Sequence, residues 1–405
     1  MLKIGIVGDG FIKWSGGLDF LRTVVASLDA TSVPIEFHFL VPGTGPRATF
    51  KRADMMFRNT AKTLLGRQSA ASGAPSRADL HSAIQSFDVP VELHDIDIGL
   101  TALERQARYL SLDVLLPSFY PLPFEDELPW LGYIYDFQHR YLPHLFTDKE
   151  RQQRDLAFGS MLSQARGIIV NAQEVAADID KFHPGTKASI FPLPFSTAPS
   201  KKWLNLDYNE AINKYGLKNK YFIICNQFWK HKDHATAFDA FYEFFVRFDH
   251  HDIDLVCTGS TSDYRSIDYF NFLIEKLKHR QIVERVHILG MVPKNDQIAL
   301  MRGAIALIQP TLMEGGPGGG AVYDAVALGI PAIISDIPVN REIEGEELVS
   351  LFQTGDSSSL ADRMQYSLKN CCKNKTTPKK LIDRGIQRRQ QCGDVLLNAI
   401  DHVRI

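Results

Sequence analysis

Two acidic residues that bracket a cluster of glycines are the part of this sequence best suited to chemistry. Between Gln309 and Pro338 the chain reads QPTLMEGGPGGGAVYDAVALGIPAIISDIP, with six glycines and with Glu314 and Asp324 on either side of the main cluster. A strand that leads through glycines into a helix exposes backbone N–H groups at the positive end of the helix dipole, where a diphosphate can bind. Carboxylates repel phosphate, so the two acids are better suited to accept hydrogen bonds from sugar hydroxyl groups. The pattern predicts a pocket for a nucleotide sugar.

The length and composition of the chain indicate a soluble protein of two domains. Its 405 residues exceed what one ordinary core holds, so two domains of roughly 200 residues each are expected. With 45% hydrophobic residues, 23% charged residues and a formal net charge of -2, nothing indicates a disordered chain or a nucleic-acid partner. The first residues, MLKIGIVGDG, lack the long apolar core of a signal peptide, and no apolar run is long enough to span a membrane. The five cysteines form neither a metal spacing nor a disulfide framework, so we predict a cytoplasmic protein.

Short apolar runs alternate with longer amphipathic runs along the whole chain, which is typical of parallel sheets flanked by helices. The predicted strands are Lys3–Val7, Ile35–Val41, Asp113–Leu116, Trp130–Tyr135 and Gly167–Val170, then Tyr221–Cys225, Asp254–Cys257, Arg285–Leu289, Ala304–Gln309 and Pro331–Ser335; the predicted helices are Leu18–Leu28, Ala235–Arg247, Ile267–His279 and Val395–Val403. A proline-containing segment from Phe191 to Trp203 separates the two strand series like a linker, and we place a domain boundary near Ser200. Both domains are therefore predicted to be doubly wound α/β sheets, with ligands beyond the carboxyl ends of the strands, in a cleft between the domains.

These residues resemble the retaining glycosyltransferases of the GT-B fold, in the large family called group 1 or family 4. The first match is the acid, glycine turn, second acid and Gly-x-Pro, here Glu314, the glycines up to Gly320, Asp324 and Gly329-Ile330-Pro331. The second is the basic segment CNQFWKHKDHATAFDAF, which contains Lys232, and the third is the double glycine Gly16-Gly17 after the first strand. The resemblance spans nearly the whole chain. It implies two Rossmann-like domains facing across a cleft, with the acceptor domain at 1–200, the donor domain at 201–384, and a final helix at about 385–405 that crosses back to the first domain.

The resemblance also implies roles for individual residues. Glu314 holds hydroxyl groups of the donor sugar, Asp324 holds the ribose, and Lys232 stabilises the departing diphosphate together with backbone amides of the glycine turn. The donor-binding set is Gly16, Gly17, Gln227, Lys232, Gly316, Gly318, Gly319, Gly320 and Asp324. Neither a metal nor another cofactor is expected, because the lysine and the helix end supply the positive charge. The expected reaction moves a sugar from a nucleotide sugar to a saccharide or lipid-linked glycan, in bacterial surface polysaccharide biosynthesis.

The sequence departs from the family pattern at several of these positions. The second acid is Asp324 instead of the usual glutamate, and the loop between the two acids is two residues longer than in most relatives. Gln227 stands where many relatives have an arginine that faces the diphosphate, and Lys230, His231 and Arg265 are the candidates to compensate for it. Tyr135 takes the place of the usual histidine before Asp136. His139 can supply an imidazole instead, although a lone histidine is more often structural, so Asp136 and His139 complete the predicted catalytic set with Glu314 and Lys232.

Other interpretations of the sequence stay open. Residues 47–77 are basic with interleaved apolar residues, which predicts either peripheral contact with an anionic membrane on its cytoplasmic face or a solvated loop and packed helix. Three D-x-D triplets, starting at Asp95, Asp178 and Asp252, lack a glycine-rich setting and do not indicate a metal-dependent transferase. Gly8-Asp9-Gly10 lacks the spacing of a dinucleotide-binding fingerprint. The alternatives to a retaining transferase are an inverting transferase or epimerase of the same architecture, and a noncatalytic subunit that binds a nucleotide sugar.

Overall fold

The computed structural model describes residues 1–12, 16–42, 84, 87–97, 99–124, 128–370 and 376–405. These residues form two compact units. The first unit comprises Met1–Ser196 together with Gln387–Ile405, and the second unit comprises Thr197–Ile386. Residues 47–77, for which the sequence predicts contact with a membrane, lie outside the described residues. None of the described helices is long and apolar enough to cross a membrane.

The first unit is built on a parallel sheet of seven strands with the order β3-β2-β1-β4-β5-β6-β7. Its strands are β1 Leu2–Val7, β2 Ile35–Pro42, β3 Glu92–Ile96, β4 Val114–Ser118, β5 Trp130–Ile134, β6 Gly167–Val170 and β7 Ser189–Pro192. Its helices are α1 Gly17–Asp29, α2 Leu100–Tyr109, α3 Gln138–Tyr141, α4 Asp148–Gln164 and α5 Gln173–Phe182, with a 3₁₀ turn at Pro143–Leu145. The central strands are buried on both faces, which is why they read as continuous apolar runs in the sequence.

The second unit repeats this arrangement with six parallel strands in the order β10-β9-β8-β11-β12-β13. The strands are β8 Lys220–Cys225, β9 Ile253–Thr258, β10 Val286–Gly290, β11 Leu307–Gln309, β12 Ala332–Ser335 and β13 Val349–Phe352. The helices are α6 Lys201–Leu204, α7 Tyr208–Lys214, α8 His234–Phe248, α9 Tyr269–His279, α10 Lys294–Gly303, α11 Gly319–Ala327, α12 Pro338–Arg341 and α13 Ser357–Asn370, with 3₁₀ turns at Lys230–Lys232 and Val283–Arg285. The strand order reverses between β8 and β11. In open α/β sheets the ligand site lies beyond the carboxyl ends at this reversal.

Two doubly wound parallel sheets were predicted from the sequence, and this prediction is confirmed. All ten predicted strands exist, and the part of the chain that the structure describes contains three further strands, β3, β7 and β13, that were missed. Each of these strands lies at an edge of its sheet and is mostly half-buried or exposed, so it lacks the apolar run that identified the others. The segment predicted as a linker from Phe191 accordingly starts inside β7.

The last helix, α14 Pro378–Arg404, is three times as long as the predicted helix at Val395–Val403. Its residues from Gln387 onward belong to the first unit. There the helix lies so close to α1 that a Cβ atom on Gly393 would be 2.2 Å from the carbonyl oxygen of Ser27. Val403 is buried against β6, where it limits the space at Gly167. The basic residues between 378 and 389 are therefore part of this helix.

Candidate functional site

The carboxyl ends of β8 and β11 carry a chain of hydrogen-bonded side chains. Asn226 follows β8 and donates from Nδ2 to Oε1 of Gln309, the last residue of β11, at 2.6 Å. Gln309 in turn donates from Nε2 to Oε1 of Glu314 at 3.1 Å. Asn226 and Gln309 are buried. The two neighbouring strands at the reversal of the sheet thus hold the Glu314 carboxylate in place.

Lys232 contacts the same carboxylate. It ends the 3₁₀ turn after β8, and its Nζ atom donates to Oε1 of Glu314. Each of the two side chains is only 11% exposed. The backbone joins the two loops as well, because the carbonyl of His231 accepts hydrogen bonds from Leu312 N–H at 2.8 Å and Thr311 Oγ1 at 3.2 Å. The structure therefore brings together the two residues that the sequence placed 82 positions apart.

The glycine turn before α11 has a conformation that only glycine adopts readily. Gly318 and Gly319 both have a φ angle of 66°, and a Cβ atom on Gly318 would lie 2.4 Å from Val322. Gly319 approaches the carboxylate, since its Cβ atom would be 3.2 Å from Oε2 of Glu314. The N–H of Gly319 donates to the Gly316 carbonyl at 3.2 Å, and Gly320 is exposed at the first turn of α11.

Asn340 holds this turn from below, and no motif in the sequence marks it. Its Oδ1 atom accepts a hydrogen bond of 2.6 Å from the N–H of Gly318, and its Nδ2 atom donates to the carbonyl of Ser335 at 2.8 Å. The side chain is completely buried. Gly318 was predicted to offer its amide to a phosphate; in the structure that amide is used to fix the turn.

We expect Asn340→Ala to lower the free energy of unfolding by about 2–4 kcal/mol, because two buried backbone groups lose their partners. Asn370→Ala is the matched control, since Asn370 is not buried and its amide donates at the surface. Urea unfolding of the three proteins measures the difference. Equal stability of Asn340→Ala and the wild type would show that Asn340 does not support the turn.

Asp324 lies on α11 and is paired with a lysine that the sequence analysis missed. Its Oδ2 atom accepts a hydrogen bond of 2.6 Å from Nζ of Lys294, at the start of α10. Asp324 is buried, whereas the Lys294 side chain is 38% exposed and its ammonium lies 5.5 Å from the centre of the Trp203 ring. Lys294 follows a proline and begins α10, and no motif distinguishes it from a surface lysine.

The candidates to replace the arginine that the family pattern has at the position of Gln227 form a second group near β8. Arg265 donates from Nη2 to Nδ1 of His231 at 3.1 Å and lies 3.5 Å from Oδ1 of Asp263. Its side chain is 4% exposed, and its guanidinium lies 5.2 Å from the centre of the Trp229 ring. His231 is buried, and Lys230 is exposed. The backbone carbonyl of Gln227 accepts from the N–H of Trp229 at 2.8 Å.

The first unit contains the remaining predicted site residues. Gly16 precedes α1, and Gly17 begins it. A Cβ atom on Gly17 would lie 2.1 Å from the carbonyl oxygen of Phe11, so this position requires a glycine for close backbone approach. Gly17 thus lies directly against the backbone of Phe11, which follows β1 in the chain.

Asp136 and His139 follow β5 and are buried inside the first unit. Asp136 forms an ion pair of 3.3 Å with Nη1 of Arg154, whose guanidinium lies 4.7 Å from the centre of the Phe146 ring. His139 contacts Oδ1 of Asp155 through Nε2 at 2.8 Å. Burial lowers the pKa of His139, which favours the neutral imidazole, although Asp155 opposes this shift. Asp136 and His139 belong to the first unit, whereas Lys232 and Glu314 belong to the second unit, and the catalytic role of Asp136 and His139 stays a prediction.

Asp178, the first residue of one D-x-D triplet, is buried on α5 and accepts a hydrogen bond from the hydroxyl of Tyr141. Burial raises the pKa of Asp178 from 3.8 to about 6, a shift that the Tyr141 hydrogen bond opposes. The other acid of the triplet, Asp180, is exposed on the same helix. The two carboxylates therefore do not form a pair.

The raised pKa of Asp178 predicts a pH-dependent stability. A carboxyl whose pKa is higher in the folded state stabilises the fold below its unfolded pKa, and this stability is lost as the pH rises through the folded value. We expect the free energy of unfolding to fall by about 1–3 kcal/mol between pH 4 and pH 6 in the wild type relative to Asp178→Asn. Urea unfolding across this range tests it, with Asp180→Asn as the control. Parallel curves for the wild type and Asp178→Asn would contradict the prediction.

Comparison with known proteins gives a family match for one part of the chain and a fold for all of it. Residues 207–388 match the family model described as glycosyl transferases group 1. No curated protein sequence matches the chain.

Solved structures of similar fold cover nearly the full length. Sucrose-phosphate synthase from Thermosynechococcus elongatus is 14% identical with a TM-score of 0.62, over 98% of this chain and 97% of the other. HepE of Anabaena, solved with UDP-glucose, is 14% identical with a TM-score of 0.62, over 98% of this chain and 100% of the other. WaaG, a glycosyltransferase involved in lipopolysaccharide biosynthesis, is 12% identical with a TM-score of 0.53, over 96% of this chain and 95% of the other. The fold is the two-domain, Rossmann-like GT-B fold.

Proposed function

We propose that this protein is a retaining glycosyltransferase that uses a nucleotide-sugar donor. The observation that carries the proposal is the pair of Lys232 and Glu314 at the reversal of the second sheet, beside the glycine turn that begins α11. A donor diphosphate needs a cation, and a sugar needs a fixed hydrogen-bond acceptor. The Lys232 ammonium and the Glu314 carboxylate are hydrogen-bonded to each other in a partly exposed site. The family match of residues 207–388 supports glycosyl transfer by this unit.

The reaction breaks the bond between the anomeric carbon and the diphosphate oxygen. Positive charge develops on the sugar ring and negative charge on the leaving diphosphate. Lys232 lowers the barrier because its ammonium has three donors, so it can bind the phosphate and keep its contact with Glu314. The acceptor oxygen bonds to the same face of the anomeric carbon, and its proton passes to an oxygen of the departing phosphate. Configuration is retained, and no carboxylate nucleophile is required.

The remaining residues position the donor. Glu314 accepts hydrogen bonds from hydroxyl groups of the sugar, and the Asn226–Gln309 chain fixes its orientation. Asp324 accepts from the ribose, while Lys294 balances its charge and directs one of its oxygens. The N–H groups at the first turn of α11 add positive potential near the diphosphate. Because protein groups supply this charge, we propose that the transfer step uses no divalent cation.

Solved structures of similar fold guide our proposal for the donor and the acceptor. HepE was solved with UDP-glucose, which makes UDP-sugars the first donors to test. WaaG acts in lipopolysaccharide biosynthesis. By analogy, we propose a saccharide or lipid-linked glycan as the acceptor, on the cytoplasmic face of a membrane where surface polysaccharide is made.

The test is release of the nucleoside diphosphate from a panel of UDP-, GDP- and dTDP-sugars, with and without EDTA. We expect turnover with one nucleotide class, unchanged by EDTA, and we expect NMR of the product to show the anomeric configuration of the donor. Inversion of that configuration would support an inverting transferase of the same fold. Saturable donor binding without turnover, whichever saccharide acceptor is supplied, would identify a noncatalytic nucleotide-sugar-binding subunit.

A further inference from the structure

Four polar residues share one face of β2 and β3 in the first unit. The parallel register pairs His38 with Glu92 and Leu40 with His94, so Glu92 and His94 lie on the same side of the sheet as His38. Glu36 precedes His38 by two residues and lies on that side as well. Further along the same face, Leu40 is part of an apolar cluster. The polar group thus borders an apolar surface that is used for packing.

The side-chain atoms of this group converge. His38 Nδ1 lies 3.0 Å from His94 Nε2 and 3.4 Å from Oε2 of Glu92. The distance from His94 Nε2 to the same Glu92 oxygen is 3.6 Å. Three ligands of a tetrahedral zinc ion with bonds of 2.0–2.1 Å are about 3.3 Å apart. The three distances bracket that value, so an ion fits between the atoms with little movement.

Glu36 supplies the second feature of a metal site. Its Oε1 atom lies 2.9 Å from Nε2 of His38, which has no aligned hydrogen-bond partner although the histidine is 98% buried. A carboxylate beside one ring nitrogen keeps the proton on that nitrogen and leaves a lone pair on the other. The lone pair of His38 Nδ1 then faces His94 and Glu92. Carboxylate–histidine–metal arrangements of this kind orient zinc ligands in many proteins.

We propose that His38, Glu92 and His94 bind a zinc ion, with Glu36 as a positioning residue. Two imidazoles and one carboxylate are a common ligand set for zinc and a poor one for Mg²⁺, which prefers oxygen ligands. The Glu92 side chain is 64% exposed, so water completes the coordination. The site lies toward the amino ends of β2 and β3, whereas substrates of such sheets bind beyond the carboxyl ends. Its function is therefore to fasten the edge strand β3 to β2.

The test is binding of zinc to the full chain after removal of metal with a chelator. Competition with a chromophoric chelator should give one Zn²⁺ per chain, no binding of Mg²⁺, and a visible Co²⁺ spectrum of tetrahedral intensity. Glu92→Gln and His94→Gln should each lower the zinc affinity by more than 100-fold, and Glu36→Gln by about 10–100-fold. His251→Gln is the matched control, because His251 also lies beside a carboxylate, Asp249, but at an exposed position.

Thermal melting separates a metal site from a hydrogen bond between two histidines. Zinc should raise the melting temperature of the wild type and of His251→Gln, but not that of Glu92→Gln, whose metal-free melting temperature should equal that of the metal-free wild type. The proposal is wrong if the wild type binds no stoichiometric zinc, or if Glu92→Gln and His94→Gln bind it as the wild type does. Chelation should lower stability without changing transfer. The structural role would be wrong if chelation lowered the transfer activity of the wild type, if zinc restored that activity, and if chelation had no such effect on Glu92→Gln.

Discussion

Lys232→Ala is expected to lower kcat for sugar transfer by about 10²–10³-fold, the effect of removing one group that stabilises charge in a transition state. The ammonium is placed by a short 3₁₀ turn and by the carboxylate of Glu314, and its side chain is mostly buried. Charge on the leaving diphosphate grows as the bond breaks, so the lysine contributes more to the transition state than to the bound donor. UDP affinity should therefore fall by a smaller factor than kcat. Steady-state kinetics together with calorimetric titration of UDP measures both quantities.

Lys230→Ala is the matched control for this variant. Lys230 begins the same 3₁₀ turn, carries the same charge and is exposed. Although Lys230 is a candidate to replace the arginine at the position of Gln227, its exposed charge is strongly screened by solvent, so this variant should retain kcat to within about twofold. If Lys230→Ala and Lys232→Ala lose activity equally, general electrostatic attraction of the donor explains the effect, and the proposed role of Lys232 in the transition state fails.

Glu314→Gln is expected to lower kcat/KM for the nucleotide sugar by about 10²-fold, since a hydrogen bond to a charged group contributes about 1.5–3 kcal/mol. The amide keeps the shape of the side chain and loses its negative charge. Binding of UDP alone should be unchanged or tighter, because the neutral amide no longer repels the phosphate that Lys232 binds beside it. Titration of the variant with UDP and with the UDP-sugar therefore separates contact with the sugar from contact with the diphosphate.

The controls for Glu314→Gln address its structural contacts. Glu344→Gln, at an exposed position, should leave kcat/KM unchanged. The double variant with Lys232→Ala should lose less activity than the sum of the two single effects, because the two side chains act as one unit. Weaker binding of UDP alone to Glu314→Gln would mean that the carboxylate serves mainly to position Lys232, and that it does not contact the sugar.

Much of the fold could be predicted because buried parallel strands have a simple sequence signal. β4, β6 and β9 consist of buried residues along their whole length, and their apolar runs were read with errors of two residues or fewer at each end. The edge strands β3, β7 and β13 have no such signal. One or both of their sides are in contact with water, so their composition resembles that of loops. The length of helix α14 was underestimated for the same reason, since its first turns are mainly polar.

The candidate site could likewise be predicted only in part. The glycines, Glu314 and Asp324 lie within one short stretch, where the needs of a tight turn and a helix start restrict the residue types. Asn340 and Lys294 support that stretch from two other helices, α12 and α10. An asparagine in a helix or a lysine after a proline is common in any protein. Only their distances to Gly318 and Asp324 identify them.

The sequence by itself determined the layered α/β class, the order of the central strands along the chain, and the acid–glycine–acid turn. These are local properties, set by side-chain period and backbone conformation. The tertiary structure alone decided which distant residues meet: Lys232 with Glu314 across 82 positions, Asn226 with Gln309 across 83, and His38 with His94 across 56. Such pairs depend on strand order and register. Register in a parallel sheet is fixed by packing against the whole core. No short stretch of sequence encodes that packing.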